Sequence, residues 1–234
     1  MTTPPSLDLI KAVRAEFGPR ILLGFSRGKD SLAAWLAMRP YFDDIVPFHL
    51  FTVPKLPIVE ESLEYYERKM SRKIWRMPQP GFYSWLRNAT FQTPPRAAVI
   101  KAANLPKFTY KDVVDIIAKA EGIAPENTMT ATGVRSADSP RRRTVITQCE
   151  GIARGQPKFY PIWDWSTDQC IDIIAKSGIS LPIDYELFGR TIDGLDYRVI
   201  APLKKHRPQD YAKILEWFPL IDIEIWRFEH GKNS

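Results

Sequence analysis

Cysteine is scarce. Two residues, Cys149 and Cys170, are too few for a disulfide framework and are not spaced as a CxxC metal site. A reducing cytoplasm is the expected setting. Long apolar runs are absent: none approaches the roughly 18–20 residues that would span a bilayer. The start, "MTTPPSLDLIKAV", has no basic segment followed by an apolar one, so no signal peptide is expected. Internal repeats and low-complexity linkers are also absent. Neither charge sign dominates: 33 Lys and Arg face 27 Asp and Glu, a net +6 that is spread along the chain. That balance suits an anionic ligand and permits nucleic acid, but it equally serves solubility. With 44% hydrophobic and 26% charged residues, the 234-residue chain has the composition of a globular protein. One domain over 1–234 is expected, with a core at about 18–180 and a C-terminal extension at about 181–234.

The pattern that remains alternates strands and helices. "RILLGF" (20–25) is continuously apolar after Arg20, as a strand buried on both faces should be. Leu32, Trp35 and Leu36 recur at helical spacing until Arg39-Pro40. "DIVPFHLF" (44–51) reads as a second strand despite Pro47. Val59, Leu63, Tyr66 and Met70 fit one helix face, and "RKIWRM" (72–77) a third strand. Thr109 heads a helix carrying Val113, Ile116 and Ile117, closed by Gly122. "TMTATGV" (128–134) and "KFYPIWDW" (158–165) give further strands. Ser166 and Gln169 form a capping box, and Pro208 opens a helix through Tyr211, Ile214, Leu215 and Phe218. Such alternation predicts an α/β fold: an open, mostly parallel sheet with helices on both faces. Sheets of this kind bind ligands at the carboxyl ends of their strands.

At one such end lies "LLGFSRGKDSLAAWLA" (22–37). It is no Walker loop: Gly24 and Gly28 enclose only three residues, and Asp30 follows the lysine. GxGxxG is missing too. The physics of phosphate binding is nevertheless present. A tight turn at Gly28 allows close backbone approach. Helix-starting N–H groups favour an anion, Ser26 and Ser31 add hydroxyls, and Lys29 adds charge.

"SRGKDS" resembles the SGGKDS loop of the PP-loop ATP pyrophosphatases and the phosphoadenosine-phosphosulfate (PAPS) reductases, which share the adenine-nucleotide alpha-hydrolase fold. "ATGVRSADSPRRR" (131–143), "YPIWDWSTDQCIDII" (160–174) and "YELFGRTIDG" (185–194) resemble further segments of PAPS-reductase-like proteins, in the same order. With the "ESLEYYERK" helix (61–69), the form is most similar to members found in phages and mobile elements. There are departures. Arg27 replaces a glycine, "FTVP" (51–54) stands where the family has DTG, and "WRFEHGKNS" lacks the ECGLH-like cysteine of a sulfonucleotide reductase.

The resemblance implies a nucleotide site of Ser26, Arg27, Gly28, Lys29, Ser31, Gly133, Arg135 and Arg190. Lys29, Asp30 and Arg135 are the catalytic candidates and Asp30 the Mg²⁺ ligand. Each has a plainer reading as well. Asp30 suits a helix N-terminus through the macrodipole alone, Arg135 is also consistent with a solvated loop, and Arg27 can add a phosphate contact or point to solvent. Arg141, Arg142 and Arg143 can face substrate, nucleic acid or solvent. Cys170 reads as core, and no base near Cys149 marks a reactive thiol. His49 fits either a family histidine or a packed strand residue, and Trp163 and Trp165 either an adenine stack or core.

Three functions follow as expectations. The first is a Mg²⁺-dependent ATP pyrophosphatase or adenylating transferase that releases pyrophosphate. The second is a PAPS (sulfonucleotide) reductase. The third is a non-enzymatic, nucleotide-gated partner of DNA or of a ParB-like protein, since the family is often encoded beside such proteins. No membrane partner is expected.

Overall fold

Among the described residues six short strands build one sheet, and their chain order explains where a ligand can sit. They are β1 (Arg20–Gly24), β2 (Asp44–Phe51), β3 (Trp75–Pro78), β4 (Thr130–Thr132), β5 (Ile152–Ala153) and β6 (Lys158–Phe159). The structure, a computed structural model, describes residues 3–231. The spatial order is β3-β2-β1-β4-β6-β5. β1 runs parallel to both β2 and β4, β4 runs parallel to β6, and only the β5–β6 pair is known to be antiparallel. Ile21, Leu22 and Leu23 are all buried, as the unbroken apolar run of β1 requires.

Pro47 sits inside β2 opposite Leu23. The Phe48 carbonyl accepts from Phe25 N at 2.8 Å, so residue 48 faces β1. By strand alternation Pro47 faces away from that ladder, which therefore loses no donor.

Helices make the crossovers. α1 (Ser6–Phe17) buries Leu9, Ile10 and Val13 ahead of β1. α2 (Lys29–Met38) leads to β2, and α3 (Pro57–Met70) leads to β3. α4 (Pro80–Arg87), α5 (Pro94–Ala103) and α6 (Tyr110–Ala120) then carry the chain back to β4. From β1 the connections step first toward β2 and β3, then return to the far side at β4. Right-handed crossovers in opposite directions put helices on both faces of the sheet. The reversal between β1 and β4 is a topological switch point, the place where sheets of this kind bind their ligands. α7 (Pro140–Gln148) follows β4, and α8 (Thr167–Ser177) packs on α2 behind the Ser166–Gln169 capping box.

The chain falls into two compact units. The first takes residues to His49, Glu67–Arg76 and Val113–Leu181, and it holds β1, β4, β5, β6 and most of β2. The second gathers Leu50–Tyr66, Met77–Asp112 and the chain from Pro182. It also holds α9 (Asp184–Phe188), α10 (Tyr197–His206), α11 (Pro208–Trp217) and α12 (Ile223–His230). In this unit Trp85 meets Phe82, Phe91 and Phe218. Buried Asp210 accepts from Ile58 N at 2.7 Å at the start of α3, and Gln92 Nε2 donates to Trp217 O at 2.6 Å. No helix of the described residues is long and apolar enough to cross a membrane.

Candidate functional site

The segment between Gly24 and α2 braces itself. Ser26 Oγ lies 3.1 Å from Ser31 Oγ, Ser31 Oγ donates to Gly28 O at 2.9 Å, and Gly28 N donates to Ser26 Oγ at 3.3 Å. These three contacts close a ring across the loop. Gly28 is the N-cap of α2, extended at φ −75° and ψ 163°, and no side chain caps the helix. The start of α2 thus lacks a side-chain cap, an arrangement that suits an anion.

The turn itself falls one residue earlier than the spacing suggested. Arg27, not Gly28, is left-handed, with φ 69°. This explains why a glycine suits that position in the SGGKDS pattern. The Arg27 side chain is 0% exposed, the largest side chain among the fully buried ones, so it does not point to solvent. It lies near His49, whose Nδ1 is 3.0 Å from Phe25 O. A carbonyl only accepts, so Nδ1 carries the proton. Burial, followed by the Arg27 charge, pulls the His49 pKa down to about 3. The imidazole is neutral and packed beneath the loop.

Asp30 gathers the charges of the site. Lys29 Nζ lies 2.8 Å from both of its oxygens, and Arg135 Nε lies 3.1 Å from Oδ1. The Arg135 contact is an ion pair without hydrogen-bond alignment. The Cys170 thiol donates to Asp30 from α8; burial, outweighing the pull of Arg135, pushes that thiol up to about 11. Cys170 is a structural thiol, as expected of a core residue.

Arg135 faces inward and is 4% exposed. Its Nη2 donates to Asp138 Oδ1 at 3.0 Å, and its Nη1 lies 3.3 Å from Thr167 Oγ1 and 3.4 Å from Trp165 O. It joins the loop after β4, the start of α8 and Asp30; it is not a solvated loop arginine. Asp138 also accepts from Arg135 N at 3.0 Å and pairs with Arg142 at 3.0 Å. At Gly133 two backbones come close. A Cβ there would lie 2.6 Å from Asp30 C and O and 2.7 Å from Ser31 N, so the glycine lets the first turn of α2 close on the end of β4. Next to it, Thr132 Oγ1 is buried without a hydrogen-bond partner, in register with Gly24.

The remaining candidates are placed as follows. Arg141, Arg142 and Arg143 are exposed on α7. Arg190 lies in the second unit, half-buried and paired with Asp193. Trp163 Nε1 donates to Pro4 O at 2.9 Å, and half-buried Cys149 donates to Ile146 O at 3.4 Å. The first unit therefore brings Ser26, Gly28, Lys29, Asp30, Ser31, Gly133 and Arg135 together. Sequence reasoning missed Asp138, whose carboxylate accepts from Arg135 N three residues back and pairs with the Arg135 guanidinium.

An uncapped helix start and a lysine suit a phosphate group, with the orphaned Thr132 hydroxyl nearby; the Ser26 and Ser31 protons are already donated within the ring. Among the described residues no group of three or more His, Cys, Asp or Glu side chains is placed to hold a metal ion. Mg²⁺ is commonly held by one or two carboxylates together with phosphate oxygens. Asp30, the single carboxylate of the loop, fits an ion that a nucleotide brings with it.

No protein-family model and no curated protein matches the chain. Among solved structures it is similar to a crystal structure of phosphoadenylyl-sulfate (PAPS) reductase from Candida auris in a phosphate complex. Identity is 10%, the match covers 79% of this chain and 85% of that one, and the TM-score is 0.47.

Proposed function

We propose that the Ser26–Ser31 loop binds the phosphates of ATP and that the protein adenylates an acceptor with release of pyrophosphate. The observation that carries this reading is the self-braced loop ahead of an uncapped α2 at the β1/β4 switch point. An acceptor nucleophile attacks the α phosphorus, and its proton leaves to solvent. The α–β bridging bond breaks, and its electron pair departs with pyrophosphate. The start of α2 and Lys29 hold the β and γ phosphates, where negative charge accumulates. Arg135 is a positioning residue: through Asp30 and Asp138 it fixes the loop against α8. Mg²⁺, held by Asp30 and the nucleotide, would add positive charge against the leaving group.

Reduction of a sulfonucleotide needs an activated thiolate. Cys170 is buried with its pKa raised, and Cys149 donates to a helix carbonyl; neither setting activates a thiol. The test uses α-labelled and γ-labelled ATP with Mg²⁺ and candidate acceptors, with PAPS and thioredoxin in a parallel arm. Pyrophosphate with AMP or an adenylated acceptor is expected, lost in Lys29→Ala while the fold persists. ADP with orthophosphate as main products, or sulfite from PAPS, would overturn the assignment.

A further inference from the structure

Two hydroxyls of β4 are buried and have no hydrogen-bond partner among the described residues: Thr130 Oγ1 and Thr132 Oγ1. The residues are two apart on a strand, so they share one face of the sheet. Their places differ. Thr130 is 4% exposed and sits opposite Leu22, in the middle of β1. Thr132 is half-buried and ends its strand opposite Gly24, the last residue of β1. A hydroxyl carries one proton and two lone pairs, and folds rarely bury all of them unmet. In the middle of the sheet such a group only costs stability. At the strand ends, beside the candidate site, a ligand can complete it.

The surroundings of Thr132 indicate which part of a ligand it would meet. A Cβ built at Gly24 would lie 3.9 Å from Thr132 Cγ2 and 3.6 Å from Phe48 Cζ. The glycine therefore leaves the space between those two side chains unfilled, at the carboxyl end of β1. The next residue of the other strand, Gly133, abuts the backbone of Asp30 and Ser31 in the first turn of α2. By alternation Thr132 faces away from that turn. Phosphates held at the start of α2 thus lie to one side of the end of β4, and the Thr132 side chain lies to the other. In a nucleotide the sugar is joined to the α phosphate, so it is the next group to cross the strand ends. At Gly24 no side chain stands in its way. The Thr132 methyl is the group turned toward that space. Rotation about χ1 between staggered wells exchanges methyl and hydroxyl and brings Oγ1 to a partner lying there.

We propose that Thr132 reads the sugar of the nucleotide: its hydroxyl hydrogen-bonds a ribose hydroxyl, and the site thereby selects a ribonucleotide over a deoxyribonucleotide. The inference rests on the proposed phosphate-loop reading, from which it takes its ligand. A ribose hydroxyl both donates and accepts, as the threonine hydroxyl does, so either can supply the proton. Sites built to bond a substrate hydroxyl discriminate against the analogue that lacks it, because the protein group is then left unpaired. Thr132 is a specificity-determining residue in this reading, with no part in the bond that breaks.

The test is titration calorimetry of the full chain with Mg²⁺ and three probes: ATP, 2′-deoxy-ATP and 3′-deoxy-ATP. Wild type is compared with Thr132→Val, Thr132→Ser and Thr130→Val, and melting temperatures without ligand check each fold. Valine keeps the branched shape of threonine and removes the hydroxyl. Wild type should bind ATP about 2–12-fold more tightly than one of the two deoxy analogues, the strength of one neutral hydrogen bond. Thr132→Val should bind ATP as weakly as wild type binds that analogue, with the preference lost, and Thr132→Ser should keep the preference. Thr130→Val is the control on the same face of the same strand, and its three affinities should match wild type. Equal binding of all three probes by wild type would overturn the proposal. So would an undiminished preference in Thr132→Val, and with a lowered melting temperature that result would assign the hydroxyl to the fold. Absence of ATP binding by wild type would remove the phosphate-loop reading together with this one, whereas ATP binding without discrimination would remove this one alone.

Discussion

Replacing Gly133 by alanine tests whether the phosphate loop depends on one close backbone approach. The added methyl would sit 2.6 Å from Asp30 C and O and 2.7 Å from Ser31 N, and contacts under 3.4 Å are already tight. These are backbone atoms of the first turn of α2, so no side-chain rotation relieves the clash. The start of α2 must move by about 0.8 Å relative to the end of β4, or the end of β4 must give by the same amount. Overpacking of this kind costs about 1–3 kcal/mol. For a chain of this size that is a fall in melting temperature of about 2–12 °C. The effect on function should be larger than this loss implies, because the displaced atoms belong to the turn proposed to hold the phosphates. A misplacement near 1 Å can cost about 100-fold in rate. Scanning fluorimetry and ATP titration calorimetry on purified Gly133→Ala read both effects. Gly155→Ala is the control: a Cβ there meets nothing within 4 Å, so both readings should stay at wild type. If Gly133→Ala melts and binds ATP like the wild type, the close approach is not what sets the loop.

Other expectations follow from the same geometry. Arg27→Gly suits φ 69° and removes the charge near His49, so the His49 pKa should rise from about 3; an NMR titration showing no change refutes their coupling. His49 is held neutral in the fold but takes up a proton near pH 6.5 when unfolded, so its contribution is intact above 6.5 and lost as pH falls toward 3. The full loss is about 5 kcal/mol, and pH-dependent denaturant melts should show it in wild type but not in His49→Gln. Iodoacetamide should label Cys149 in the folded protein and leave Cys170 unmodified, because burial raises the Cys170 thiol to about 11; comparable labelling in peptide mass spectra would contradict its place in the core.

Local chemistry made much of the fold legible. The apolar run of β1, the whole of Asp44–Phe51 and the Ser166–Gln169 box depend on neighbours within a few residues, and each stands where the pattern puts it. The Thr109 cap does too, with Asp112 N donating to Thr109 Oγ1 at 3.2 Å. The second unit was not legible. Trp85, Phe91 and Phe218 meet across more than a hundred residues, and no spacing rule joins them. The site divides in the same way. The turn at Ser26–Ser31 was readable because strand, glycine and helix start lie in one stretch. The inward course of Arg135 was not, because Asp30, Thr167 and Asp138 reach it from three segments. The burial of Arg27 was not legible for another reason: an arginine buried in a left-handed turn runs against both its charge and its backbone preference.

The hydrogen-bonded ring of Ser26, Gly28 and Ser31 has a thermodynamic consequence. Ordering a residue's backbone costs about 1–2 kcal/mol, so six loop residues carry a cost on the order of 6–12 kcal/mol. In a floppy loop that entropy would be lost at each encounter with a ligand and regained at each release. Here the ring incurs the loss once, when the chain folds. An arriving phosphate meets a surface already in shape, so its capture resembles rigid docking, and calorimetry should show little of the unfavourable entropy that accompanies loop closure.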